Sequence, residues 1–285
     1  MDIDNLTNYL NYMSLYDEYH ILAPNQINIL DNDNIRKLVV IKNDKDYTII
    51  KKLPKYLTHL HFHDECAYNY DISDILPDTL EYLKMSWNYN KVFKKYPISL
   101  KYLILGYSYN IQLCNLPTSL IYLRLGNSYN YPLYDLPNNL ETLILGGFYD
   151  IPIYMNMLPI SLKQLDLGYT YNIQLPELPY NLEYLRLSDF YMKNLPKLPN
   201  SLKYLEIGNK YIYPLYDNEL PENLEVLKLG DLYNIKLPKL SCNLKQLILG
   251  NSYDYELNEN NLPKTLKYIQ TSLNYKYKIP YLPIK

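Results

Sequence analysis

The sequence predicts a repeat solenoid. In it a right-handed coil of short turns places one strand per turn in a parallel β-sheet on its concave face, with extended or polyproline-like segments on the convex face. A short helical cap precedes it at the N-terminus. Three observations carry this reading. A phrase of 20–23 residues recurs about eleven times from Pro54 onward. Inside each phrase apolar and variable residues alternate over five positions, the period of a strand. Prolines stand at fixed places in most phrases, which excludes much helix between the strands.

The phrase shows in "LPTSLIYLRLGNSYNYPL" from Leu116 and "LPNNLETLILGGFYDIPI" from Leu136, twenty residues on. The anchor positions are Pro54, Pro77, Pro97, Pro117, Pro137, Pro159, Pro179, Pro199, Pro221, Ser241 and Pro263. Counted from the anchor, position +3 is Leu in all eleven copies, and +6 and +8 are apolar in nearly every one. A unit of this size cannot bury its own apolar side, so neighbours above and below must cover it. The segment from +5 to +9, such as "YLILG" at 102–106, reads as a strand with Leu103 and Leu105 facing inward.

Two further positions have structural readings. Position +9 is Gly in seven of eleven copies, which suits a positive φ or a close backbone approach. Position +12 is Tyr from the second copy on, with an apolar residue at +16, so stacked rings should form an interior spine. Asn or Asp at +13, as in Asn110, Asn130, Asn172 and Asn234, is placed to satisfy turn backbone in the next coil.

Composition sets the outer limits. The 285 residues are 48% hydrophobic, enough for a sizeable core, and 28 basic against 30 acidic side chains argue against nucleic acid or an anionic membrane as partner. Cys66, Cys114 and Cys242 are odd in number and widely spaced, which points to a reducing setting rather than a disulfide framework. The start, "MDIDNLTNYL", lacks the pattern of a signal peptide, and no apolar run reaches the roughly 18 residues of a membrane span. A cytoplasmic location is expected.

The unit L-x-x-L-x-L-G-x-x-Y-N-x-x-L resembles the FNIP repeat, a leucine-rich-repeat (LRR) relative of social amoebae and of giant DNA viruses that infect amoebae. "YDIPI" at Tyr149 and "YNIQL" at Tyr109 and Tyr171 stand in the place of the family's signature, with Tyr where the family more often has Phe. The resemblance covers residues 54–285. It implies an LRR-like fold, a binding rather than catalytic role, and a host-cell cytoplasm. "LPELPYNLEYLRL" at 175–187 is similar to the short LRRs of bacterial effectors. The buried Asn of ordinary LRRs has no counterpart in its usual slot, which holds Ser108, Ser128, Phe148 or Thr170 here. The asparagine ladder is therefore expected to be missing, with Tyr at +12 filling its space.

Positions +5 and +7 alternate with the buried leucines and point out of the sheet. Tyr and Arg are the residues that anchor interfaces, so a protein-binding face is expected around Tyr82, Tyr102, Tyr122, Arg124, Tyr184, Arg186 and Tyr204. "HLHFHDEC" from His59 puts His59, His61 and His63 on one strand face, a weaker candidate for metal. No phosphate loop, nucleophile elbow or His-Glu-x-x-His motif occurs, so no enzyme activity and no cofactor are expected. Glu81, Glu141, Glu183 and Glu225 at +4, interspersed with Lys101, Lys163 and Lys203, read as a solvated, self-neutralising surface.

Residues 1–50 lack the repeat and read as a cap, with one or two short helices before Pro24 and an incomplete coil at 35–50. Residues 51–285 are the solenoid. The leading function is a scaffold that binds an unidentified protein, possibly of a host. Two alternatives stand beside it. One is a ubiquitin-ligase substrate adaptor with a degenerate F-box in residues 1–50, which the family resemblance implies; the other is a metal- or glycan-binding module. The ending "YLPIK" has no polar cap and would allow a dimer by edge pairing.

Overall fold

A computed structural model describes residues 20–22, 27–41, 49–217 and 219–280. They fall into two compact units, residues 1–126 and 127–285. In the first, β1 (His20–Leu22), β2 (Lys37–Val40), β3 (His59–Phe62), β4 (Tyr82–Lys84), β5 (Tyr102–Ile104) and β6 (Tyr122–Arg124) pair in chain order. In the second, the order is β7 (Thr142–Ile144), β8 (Gln164–Asp166), β9 (Tyr184–Arg186), β10 (Tyr204–Glu206), β11 (Val226–Lys228), β12 (Gln246–Ile248) and β13 (Tyr268–Gln270). All these pairs are parallel. Leu83, Leu103 and Leu123 align across β4 to β6, and Leu143, Leu165, Leu185, Leu205, Leu227 and Leu247 across β7 to β12. Each unit is a stack of coils in register, so the expected solenoid is borne out.

Each coil is built the same way. The anchor carbonyl accepts the +3 amide, as in Leu100 N–H to Pro97 O at 3.1 Å, which turns the chain into the strand. The strand proper covers +5 to +7, shorter than the five residues expected. Beyond it the +8 amide still reaches the next coil, as in Leu105 N–H to Arg124 O at 2.9 Å. At +9 the chain turns again, and the +12 amide closes the turn on the +9 carbonyl, as in Tyr109 N–H to Gly106 O at 3.1 Å.

That turn explains the glycine. The +9 carbonyl oxygen of one coil lies where a +9 Cβ would stand in the next: a Cβ on Gly126 would sit 2.0 Å from Gly106 O, and one on Gly208 would sit 1.7 Å from Ser188 O. Close backbone approach is thus the general cause, and only Gly168 among the described glycines has a positive φ, 70°. On the outer side, Asn115, Asp135 and Asn156 take left-handed φ of 55°, 54° and 67°, the residue types that tolerate it best.

The interior is filled by the leucines at +3, +6 and +8 and by the +12 tyrosines. Tyr89 and Tyr109 stack at 6.3 Å between ring centroids, as do Tyr129 and Tyr149, and Tyr211 and Tyr233. The spine begins one coil earlier than the register suggests. The first copy carries two extra residues, so Tyr68 rather than Cys66 fills the slot, stacked 5.0 Å from Phe62.

Two polar ladders tie coil to coil. Position +2 is Ser, Thr or Asn in every copy after the first and donates to the preceding coil: Ser119 to Leu100 O, Ser161 to Leu140 O, Asn223 to Asn200 O. At +13, Asn69 accepts from Asn90 N–H, Asn90 from Asn110, Asn172 from Met192 and Asn234 from Asp254, at 2.8–3.1 Å. The +13 asparagines thus satisfy turn backbone in the next coil, as their position implies, and this ladder lies one residue beyond the tyrosine rather than in the usual LRR slot.

The helices expected before Pro24 lie mainly on residues 1–19, outside the described residues, and the end of that stretch, His20–Leu22, is strand β1 and not helix. The helical element described in this region is a 3-10 turn, Ile27–Asp31. β1 and β2 also lie within the first fifty residues and pair in parallel toward β3.

Candidate interaction face

The strands expose two columns of side chains on the sheet surface opposite the core, at +5 and +7. In residues 1–126 the +5 column is an aromatic run. His59 stacks on Tyr82 at 5.7 Å, Tyr82 lies 6.4 Å from Tyr102, and Tyr102 lies 6.0 Å from Tyr122. The rings shield one another more than the alternation alone implies. Tyr82 is 5% and Tyr122 2% exposed, while Tyr102 is half-buried. Strands about 4.8 Å apart leave no room between flat rings, so a tyrosine column closes into a seam. The +7 column holds His61, Lys84, Ile104 and Arg124. Lys84 pairs with Asp64 at 3.0 Å, and Arg124 is exposed.

The three histidines do not converge. His59 Nδ1 lies 2.9 Å from Thr58 Oγ1, and His63 Nδ1 accepts from Glu65 N–H at 3.3 Å. His61 is held neutral, its pKa lowered to about 3 by burial and then by the neighbouring Lys84 charge. Its Nε2 is buried without a hydrogen-bond partner. Among the described residues, no three His, Cys, Asp or Glu come together as a metal site.

In residues 127–285 the same columns carry a different pattern. Tyr184 and Tyr204 stack face to face at 4.3 Å, with 9° between their planes. Beside them Arg186 sits among three carboxylates: Asp166 at 3.1 Å, Glu206 at 3.3 Å and Asp189 at 3.5 Å. Its Nη1 also donates to Gly168 O at 3.1 Å, the carbonyl of the one positive-φ glycine, whose own N–H donates to Asp166 Oδ1 at 2.8 Å. Glu206 is further held by Lys228 at 3.0 Å and by the Tyr204 hydroxyl at 3.0 Å. Burial pushes the Asp166 carboxyl up, against the pull of Arg186, and pushes the Tyr184 phenol up as well.

Sequence reasoning placed the +5 and +7 members of this group on the face but missed Asp189 and the network. Its signal was present: Asp166, Arg186, Glu206 and Lys228 occupy +7 in four consecutive copies with alternating sign. The +4 charges hold the same lesson. They neutralise one another at the surface, as expected, and the structure adds that each pair bridges adjacent coils: Glu81 with Lys101, Glu141 with Lys163, Glu183 with Lys203 and Glu225 with Lys245, all at 2.7–2.9 Å.

Stacked coils with a parallel sheet, an apolar ladder and a polar face of varying side chains define an LRR-type repeat protein, an architecture that typically serves as an interaction scaffold. The chain belongs to the FNIP repeat family, whose pattern matches residues 47–88, 89–128, 129–170, 191–232 and 233–273. Two solved structures are similar over most of it. CroV588 of the giant virus CroV, described as a novel circular LRR protein structure, has a TM-score of 0.70 and 29% identity, covering 87% of this chain and 41% of its own. YopM from Yersinia enterocolitica WA-314 has a TM-score of 0.57 and 25% identity, covering 88% of this chain and 60% of its own. The chain thus spans about two fifths and three fifths of these neighbours' lengths. No curated protein matches it in sequence. No helix among the described residues is long and apolar enough to cross a membrane.

Proposed function

We propose that the protein is a non-enzymatic scaffold that binds another protein through the +5 and +7 columns of its sheet, in the cytoplasm of the cell where it works. The observation that carries this reading is a division of labour within the coil. Positions +2, +3, +6, +8, +9, +12 and +13 hold the stack together, whereas +5 and +7 vary from copy to copy. Tyr recurs there with Arg124 and Arg186 beside it, the residue types enriched at interface centres. The candidate anchors are Tyr82, Tyr102, Tyr122, Arg124, Tyr184, Arg186 and Tyr204. The half-buried Tyr102 and the exposed Arg124 offer more contact surface than Tyr82 and Tyr122, whose rings are covered.

Proximity labelling in host cells names the partner, and calorimetry with the purified pair measures it. Serine at Tyr102, Arg124 and Tyr204 should weaken binding by about 2 kcal/mol or more if they anchor the contact. Unchanged affinity in a variant that keeps its melting temperature would move the interface elsewhere.

A further inference from the structure

We propose that the sheet face of residues 1–126 receives an acidic polypeptide segment of the partner, seated on the guanidinium of Arg124. The proposal rests on the face reading above and adds the partner's chemistry. β6 and β9 carry the same tripeptide, Tyr-Leu-Arg, and their arginines have opposite situations. Arg186 is enclosed by Asp166, Glu206, Asp189 and the Gly168 carbonyl, so its donors are already spent within the coil stack. Arg124 is exposed, and its side chain makes no hydrogen bond or ion pair among the described residues.

The surroundings of Arg124 decide the sign of what can cover it. Neither column of β3 to β6 holds a carboxylate: the residues are His59, Tyr82, Tyr102 and Tyr122, then His61, Lys84, Ile104 and Arg124. Asp64 reaches this face only to neutralise Lys84. His61 is neutral and adds no charge. Across β3 to β6, Arg124 is therefore a cation with no carboxylate in either column, beside an apolar Ile104 and an aromatic floor. A partner that covered Arg124 without an anion would strand a desolvated charge, and a basic one would be repelled. A glutamate or aspartate side chain matches the guanidinium fork in two parallel hydrogen bonds, with the residues around it resting on Tyr102 and Ile104.

The test uses the full chain and two labelled probes, a random glutamate–tyrosine copolymer and a lysine–tyrosine copolymer, read by fluorescence anisotropy. The glutamate copolymer should bind at least about tenfold more tightly than the lysine one, with affinity falling as salt is added. Arg124→Glu should weaken it about tenfold or more without changing the melting temperature, because Arg124 supports nothing in the coil. Arg186→Ala should lower the melting temperature instead. Equal binding of both copolymers, or binding indifferent to Arg124→Glu, would overturn the proposal. So would a dimer in sedimentation that Arg124→Glu dissolves, which assigns the surface to a second copy. Tighter binding after Asp2→Asn, Asp4→Asn, Asp17→Asn and Glu18→Gln would equally overturn it, by giving the surface to the chain's own leading residues. If these results fail while Tyr102→Ser still abolishes partner binding, the face reading stands and only the charge assignment falls.

Discussion

Glycine at +9 gives the sharpest residue-scale expectation. A Cβ on Gly208 would meet the Ser188 carbonyl oxygen at 1.7 Å, backbone against backbone, with no side chain to step aside. Gly208→Ala should therefore cost about 1–3 kcal/mol or more in denaturant melts, the range of an overpacked interior. Gly147 is the control. Its Cβ would meet only the Asn127 side chain at 3.3 Å, which can swing away, so Gly147→Ala should be tolerated. Serine at 188 shows how a coil escapes the rule. The preceding Gly168 has φ of 70° and gives its carbonyl to Arg186, and Ser188 uses its hydroxyl on Tyr171 O. Composition showed that +9 favours glycine; which of two glycine properties mattered required the distance between coils.

On the scale of the element, the tyrosine spine separates shape from hydrogen bonding. Several hydroxyls accept the +16 amide of the preceding coil: Tyr171 from Ile153 at 3.3 Å, Tyr233 from Leu215 at 3.3 Å, Tyr275 from Leu257 at 3.2 Å. Tyr149 Oη is buried without such a partner. Tyr233→Phe should then destabilise by about 0.5–1.5 kcal/mol, because it leaves an amide unpaired, while Tyr149→Phe should be neutral or stabilising. Equal losses at the two sites would mean that the amide hydrogen bond to Tyr233 contributes nothing of its own. The spine was legible because a tyrosine recurs in ten consecutive copies. Its first member was not, since the two-residue insertion before Tyr68 shifts the count while leaving "Tyr-Asn-x-x-Ile" intact at 68–72. The +2 ladder was equally visible as an unbroken run of Ser, Thr and Asn, and it went unread because small polar residues after a proline look like ordinary turn formers.

For the whole molecule, so many buried phenols make alkaline pH the natural denaturant. Burial pushes Tyr68, Tyr191 and Tyr233 from 10.0 up to about 12, and moves Tyr89, Tyr149, Tyr211 and Tyr253 in the same direction. The folded state keeps protons that the unfolded chain releases. Stability is therefore intact below about pH 10 and falls as pH rises toward 12, with each spine tyrosine adding up to about 1.4 kcal/mol per pH unit to the slope. Tyrosinate absorbance should resolve two classes of phenol, the later one ionising together with loss of the circular dichroism signal. A single class ionising with the dichroism unchanged would contradict a buried spine.

The sequence by itself determined the coil: its period, its strand, its apolar ladder and its ring of tyrosines all follow from local pattern, because each repeat needs only its neighbours to bury its side. The face was another matter. Which tyrosines stay open to a partner depends on how far adjacent rings overlap. Which arginine is free depends on what stands at +7 in the coils on either side. Tyr122-Leu-Arg124 and Tyr184-Leu-Arg186 are the same three letters, and only the carboxylates brought beside the second by stacking make one a surface donor and the other a strut.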